Sequence, residues 1–129
     1  MKGRFIKSAA ACMAVAAIVF FSSVTAYAGS GYEEASGYAG STKVTSEVGF
    51  NGKSGYAIVS ASDNVDARME GEAVYFDGKE MQVKPFSGGF EQRTYGDTGT
   101  SCPYDIGIIS CIVDISSSDG EWSKYCYAN

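Results

Sequence analysis

Short runs of β-branched and aromatic residues make up most of this chain, and glycine, asparagine and aspartate interrupt them. From Lys43 onward no window of 11 residues keeps the period of an amphipathic helix, whereas apolar and polar residues alternate over runs of strand length. Such a chain covers its apolar side chains by folding an antiparallel sheet over itself. We therefore predict an all-β domain over residues 43–129: a small antiparallel β-sandwich of about seven strands, with a small β-barrel as the alternative.

Two dipeptides predict tight turns, because both accept the backbone angles of a two-residue hairpin loop. The strand pairs joined in this way are 42–50 with 53–60 through Asn51-Gly52, and 68–76 with 79–85 through Asp77-Gly78. In the second hairpin the loop places Val74 opposite Met81, and Val83 continues their apolar face. Glu72 falls on the same face, where its charge does not fit the apolar pattern.

A more polar strand is expected at residues 89–95, and the most apolar strand at residues 107–116. Alternation predicts which side chains of the apolar strand point inward and which point outward. The inward set is Ile109, Cys111, Val113 and Ile115, and the outward set is Ser110, Asp114 and Ser116. Asp119-Gly120 predicts a turn into the last strand, residues 121–127.

The amino-terminal segment has the pattern of a cleavable export signal. Residues 1–8 carry three basic residues and no acid, and an uninterrupted run of small and apolar residues follows at 9–21. That run of 13 residues is shorter than the roughly 20 that a membrane-spanning helix needs. Ala26-Tyr27-Ala28 supplies the small side chains that a signal peptidase reads. We predict a signal peptide over residues 1–28, no stable membrane anchor after its cleavage, and secretion, with cell-wall association as a variant.

Removal of the leader changes the charge balance. All three basic residues of the leader are lost, so the remaining chain carries 7 basic residues (10 − 3) against 15 acidic ones, a net charge of −8. A polyanion is repelled by such a protein, which argues against nucleic acid as a partner. The first mature residues, 29–42, read GSGYEEASGYAGST and bury little, so we expect a flexible Gly- and Ser-rich arm.

The sequence has no histidine, which excludes Ser/His/Asp and Cys/His nucleophilic sites and zinc sites with histidine ligands. A carboxylate pair for glycoside hydrolysis is the remaining catalytic alternative. The loop Asp63-Asn64-Val65-Asp66 has oxygen ligands but not the calcium-loop pattern, and turn formation explains it better. We predict no enzymatic activity, no catalytic residues, no metal site and no cofactor.

Eight tyrosines and one tryptophan follow residue 28, and flat amphipathic rings are common in binding surfaces. Packing on the sheet is the competing role of these rings. As candidate binding residues we single out Tyr104, Trp122, Tyr125 and Tyr127. The expected partner is an unknown protein or glycan at the cell surface.

Three cysteines lie in the last 28 residues, so at most one internal disulfide can form there. If Cys111 is a buried core thiol, Cys102 and Cys126 are left to pair, and this is the pairing that we predict. The competing pair is Cys111 with Cys126, which a four-residue turn would place opposite each other.

Three segments between residues 55 and 127 carry a resemblance: YAIVSAS, VDARMEGEAVYFDGKEM and TSCPYDIGIISCIVDISSSDGEWSKY. Their order resembles small uncharacterised secreted β-sandwich proteins of Gram-positive bacteria. A more distant resemblance is to secreted bacteriocins of the lactococcin 972 type, which typically contain histidine. The resemblance implies a β-sandwich fold and an extracellular bacterial location, and it implies nothing about activity.

These observations predict a secreted, non-enzymatic binding or interaction module at the cell surface or in the extracellular space. The alternative is a secreted antibacterial protein or other effector.

Overall fold

The computed structural model describes residues 29–129, which form six β-strands and no helix. The strands are β1 (Ser30–Ala39), β2 (Thr42–Asn51), β3 (Ser54–Phe76), β4 (Met81–Ser101), β5 (Ile106–Ser116) and β6 (Glu121–Ala128). All paired strands are antiparallel, in the order β1-β2-β3-β5-β6, with β4 paired to β3. The all-β prediction is confirmed, and the barrel alternative describes the curled sheet more closely than two separate layers do.

The sheet curls because β3 changes neighbours along its length. Its first half pairs with β2 and the end of β4, and its second half pairs with β5 and the start of β4. The β3–β4 register is irregular between Ser60 and Val65. On β4, Gln92 has a φ of 52°, and its N–H donates to Asp66 Oδ1 at 3.0 Å. Bulges of this kind bend a strand and increase its twist.

Curling brings the outermost strands, β1 and β6, against each other along what we call the seam. The strand pairings of residues 29–129 include no ladder between β1 and β6, and side chains bridge them instead. At one end, Ser117 Oγ donates to Ala39 O at 2.7 Å, and the Asp119 carboxylate accepts Ser41 Oγ at 2.7 Å. Further along, the Trp122 indole lies on Gly37 of β1. The seam completes the nearly closed barrel.

The core fills the inside of the curled sheet. Its largest fully buried members include Met69 on β3 and Ile109 on β5. Every odd residue of β5 from Ile109 to Ile115 is 0% exposed, as alternation predicts. Val74 and Ile108, which are cross-strand partners, are buried outside this core cluster.

The outward set of β5 lies on the opposite face of the strand, but other side chains cover it. The exposed fractions are 2% for Ser110, 7% for Asp114 and 4% for Ser116. Neighbouring side chains therefore shield the outward face of β5 from solvent in this region.

The prediction of a flexible arm over residues 29–42 is wrong. Residues 30–39 form β1 and pair with β2 along its whole length, around a turn at Gly40 with a φ of 64°. The strand contributes only small residues to the core, Ala35 and Ala39, so low hydrophobicity concealed it. Backbone pairing with β2 and contacts across the seam hold it in place. The predicted signal peptide, residues 1–28, lies outside the described residues.

The predicted strand count also changes. The expected strands at 53–60 and 68–76 are one strand, β3, and those at 79–85 and 89–95 are one strand, β4. Asp63-Asn64 interrupts the β3–β4 ladder, which resumes at Val65, whereas Ser87-Gly88-Gly89 is paired with β3 throughout.

The register of the β3–β4 hairpin is shifted by two residues from the prediction. Phe76 pairs with Met81, so the loop has four residues rather than two. Asp77 holds the longer loop, because its Oδ1 accepts the N–H groups of Lys79 at 2.8 Å and Glu80 at 2.9 Å. The predicted core face is also wrong, since Val83 is 38% exposed.

The last hairpin has the register that was considered for the competing disulfide. Ser116 pairs with Glu121, and Cys111 pairs with Cys126. The predicted disulfide between Cys102 and Cys126 is absent, because all three cysteines are free and buried. Cys126 faces Cys111, whereas the Cys102 N–H is bonded to Lys53 O at the end of β4.

These free cysteines lead to a first prediction. Burial raises the pKa of the Cys111 thiol well above its usual range and also raises the pKa of Cys126 and of Cys102. Because thiolate is the reactive form, we expect slow reaction of all three with Ellman's reagent in the native protein. In denaturant without reductant, all three should react. If only one of the three thiols reacts in denaturant, the other two form a disulfide, and this result would contradict the free state of the cysteines.

Candidate functional site

The outer face of β5 and β6 carries two of the predicted binding residues. Cys126 and Ala128 of β6 point into the core, so Tyr125 and Tyr127 lie on the opposite face. Their ring centroids are 6.4 Å apart with an interplanar angle of 28°, in a stacked arrangement. The last strand therefore presents a tyrosine pair on the outside of the barrel.

The two tyrosines are the last members of two rows of cross-strand neighbours that run over β3, β5 and β6. One row is Glu72 on β3, Ser110 on β5 and Tyr127 on β6. The neighbouring row is Glu70, Ile112 and Tyr125 in the same strand order. Glu72, Ser110, Tyr125 and Tyr127 together form what we call the tyrosine face.

Two polar atoms of the tyrosine face are buried without a hydrogen-bond partner: Glu72 Oε1 and Tyr125 OH. They are the only such side-chain atoms in residues 29–129. Ser110 lies close to the Tyr125 hydroxyl but does not form a hydrogen bond of normal geometry with it. A buried polar group left unpaired costs about 1–3 kcal/mol, so the fold tolerates an unfavourable arrangement here.

The electrostatics of the tyrosine face follow from this burial. Desolvation raises the pKa of the Glu72 carboxyl. Burial also raises the pKa of the Tyr125 phenol, and the nearby Glu72 and Glu33 carboxylates add to the rise. Glu33 of β1 reaches across the seam, where its Oε1 accepts the Tyr127 N–H at 2.8 Å. The tyrosine pair thus lies between two acidic side chains.

Nearby basic side chains point away from this surface. Arg68 lies on the outer face of β3, but its chain leans toward β4, where a Cβ on Gly89 would lie 3.2 Å from Arg68 Cδ. Lys84 donates from Nζ to Ser101 O at 2.7 Å. Lys124 lies on the other face of β6 from Tyr125. The charged side chains that lie nearest to the tyrosine face are therefore acidic ones.

The other two predicted binding residues lie elsewhere. Trp122 packs against the core and the seam, on the inner side of β6. Tyr104 is 48% exposed in the β4–β5 loop and stacks on Tyr75 at 6.2 Å. Tyr75 pairs with Ile106 and Tyr125 pairs with Ile112, so about 20 Å of strand separates the two stacked pairs.

Sequence reasoning missed Glu72 and Ser110 as members of a site. Glu72 did give a signal, because it is a charge within an apolar stretch. That signal was interpreted against the wrong face of β3. Ser110 gave none, because serine is common on outward strand positions.

Within residues 29–129, no group of three or more Cys, Asp or Glu is placed to hold a metal ion. In the loop considered above, Asp63 Oδ1 accepts the N–H of Asn64, and Asp66 Oδ1 accepts that of Gln92. The same residues include no helix with the length and apolar character needed to cross a bilayer.

The second prediction concerns Glu72→Gln and pH. A carboxyl with a raised pKa in the folded state holds its proton to higher pH than it does in the unfolded chain. Its contribution to the free energy of unfolding therefore falls as pH rises from the ordinary glutamate pKa of about 4.3 through the raised value. The glutamine variant should be more stable than the parent at pH 7, and this gain should shrink towards pH 4.

Urea denaturation at several pH values measures this difference. Glu34→Gln, at an exposed position on β1, removes the same charge and is the matched control. A glutamine variant that is less stable than the parent at pH 7 would contradict the prediction.

The chain was also compared with known proteins. No family model, no curated protein and no solved structure matches it.

Proposed function

We propose that this protein is a secreted, non-enzymatic binding module that acts at the cell surface or in the extracellular space and binds its partner through the tyrosine face. The observation that carries the proposal is the pair of unpartnered buried atoms, Glu72 Oε1 and Tyr125 OH, on the face that carries the stacked tyrosine rings. Local arrangements that cost stability persist where function requires them. A partner that hydrogen-bonds to these atoms would recover that cost.

The non-enzymatic part rests on the sequence. A chain of 129 residues without histidine lacks the side chain best suited to proton transfer near neutral pH. The secreted part rests on the amino-terminal leader pattern. Intact-mass analysis of the culture fluid should find a chain that begins at Gly29, and a product that retains Met1 would refute secretion by cleavage.

A pull-down from the producer's culture fluid and cell-wall fractions tests the binding role. The baits are the parent protein, the double variant Tyr125→Ala/Tyr127→Ala, and a control double variant, Tyr32→Ala/Tyr38→Ala. The control removes two tyrosines that are 69% and 61% exposed on β1. We expect a partner that the parent and the control retain and that the first double variant loses. Retention by all three baits, or loss with the control as well, would contradict a role for the tyrosine face.

A further inference from the structure

The unpartnered atoms of the tyrosine face specify what a ligand has to bring. The Glu72 carboxylate can only accept hydrogen bonds, and the Tyr125 hydroxyl can accept or donate. Both atoms are buried, and neither has a hydrogen bond of normal geometry, although Ser110 lies close to the Tyr125 hydroxyl. A complementary group would supply at least one donor, which reaches these atoms when the side chains that cover them move aside.

The surroundings favour a donor that carries positive charge. The Glu72 and Glu33 carboxylates act on the same Tyr125 phenol, and Glu70 lies in the neighbouring row. The basic side chains on this side of the barrel point elsewhere, since Arg68 leans over Gly89 and Lys84 is bonded to Ser101 O. Three of the 10 basic residues of the chain, Lys2, Arg4 and Lys7, lie in the leader. Residues 29–129 therefore carry 7 basic residues (10 − 3) against 15 acidic ones, a net charge of −8.

The rings add a second attraction for a cation. Tyr125 and Tyr127 lie side by side on the same face of the sheet as Glu72 and Glu70, and a guanidinium or ammonium group is attracted to the face of an aromatic ring. Guanidinium also matches a carboxylate through two parallel hydrogen bonds. A neutral sugar could stack on the rings but would gain nothing from the net charge, and an anionic polymer would be repelled.

We propose that the tyrosine face binds a basic side chain, arginine in the first instance, on a protein partner. This inference rests on the proposed function and adds the chemistry of the ligand. Glu72 is the acceptor for the guanidinium, Tyr125 and Tyr127 supply its stacking surface, and Glu33 reinforces the negative field across the seam.

Titration of the purified protein with a hexa-arginine peptide, followed by NMR of the tyrosine rings, tests the proposal. The matched probe is hexa-citrulline, which keeps the shape of the side chain and lacks the charge, and a chitin tetrasaccharide represents a neutral glycan. We expect saturable shifts at Tyr125 and Tyr127 with the arginine peptide, weaker binding at higher salt, and no saturation with citrulline. Glu72→Gln should weaken binding on the order of 10-fold or more, because it removes one partner of a buried charge pair.

Glu34→Gln removes an equal charge on the exposed side of β1 and should change affinity less than about 2-fold. Equal weakening by both glutamine variants would overturn the proposal in favour of non-specific attraction. Equal binding of citrulline, or binding of the sugar without the arginine peptide, would overturn the cationic ligand and leave the binding function standing. Loss of the proposed function itself would appear separately, as pull-down results that do not depend on Tyr125 and Tyr127.

Discussion

Replacement of Met69 by alanine is expected to lower the free energy of unfolding by about 2–5 kcal/mol. Met69 is among the largest fully buried side chains, at the centre of β3, with Gly88 on β4 and Val113 on β5 as its cross-strand partners. Gly88 has no side chain with which to fill the resulting cavity. A domain of this size has only about 5–15 kcal/mol of stability in total, so the loss is a large share of it.

Urea denaturation followed by circular dichroism measures this change. Arg68→Ala is the control, because Arg68 is the exposed neighbour in the same strand and should change stability by less than about 0.5 kcal/mol. If both variants lose the same small amount of stability, Met69 does not occupy the centre of the core.

Replacement of Gly37 by valine is expected to open the seam and to lower the free energy of unfolding by about 1–3 kcal/mol. A Cβ on Gly37 would overlap Trp122 Nε1 and would lie 2.7 Å from Trp122 Cδ1. The indole is packed against the core, so it cannot easily move aside. We expect β1 to separate from β6 and its amides to lose protection from hydrogen exchange.

Trp122 is the only tryptophan of the chain, so its fluorescence reports directly on the seam. An opened seam should shift its emission to longer wavelength. Ser36→Val introduces the same side chain one residue earlier, on the exposed face of β1, and should leave both emission and stability nearly unchanged. A Gly37→Val protein with parental stability and emission would show that the indole does not hold the seam.

The parts of the fold that could be predicted are those that alternation and turn length determine. The apolar run of β5 specified its inward face, and Asp119-Gly120 marked the position of the last turn, where a four-residue loop pairs Ser116 with Glu121. The β3–β4 hairpin could not be predicted in the same way, because Asp77 uses its side chain to stabilise a longer loop. Strand β1 was missed because backbone pairing, rather than apolar burial, holds most of it.

The candidate site shows the same division. Tyr125 and Tyr127 are two residues apart on one strand, so period-two spacing was enough to bring them together. Their contacts with Glu72 and Glu33 depend on the order of the strands and on closure at the seam, which local sequence does not encode. Trp122 was grouped with the tyrosines on sequence proximity, but it lies on the opposite face of β6.

The mutual approach of β1 and β6 leaves β4 as the strand with an open side, since β4 pairs only with β3 in the described chain. That side carries Lys84 and Pro85 and is interrupted at Gln92, where the backbone has a positive φ. Charge, proline and a bulge are the features by which natural sheets keep a further strand from adding to a border. These features oppose the addition of a strand from a second copy of the protein along the open side of β4.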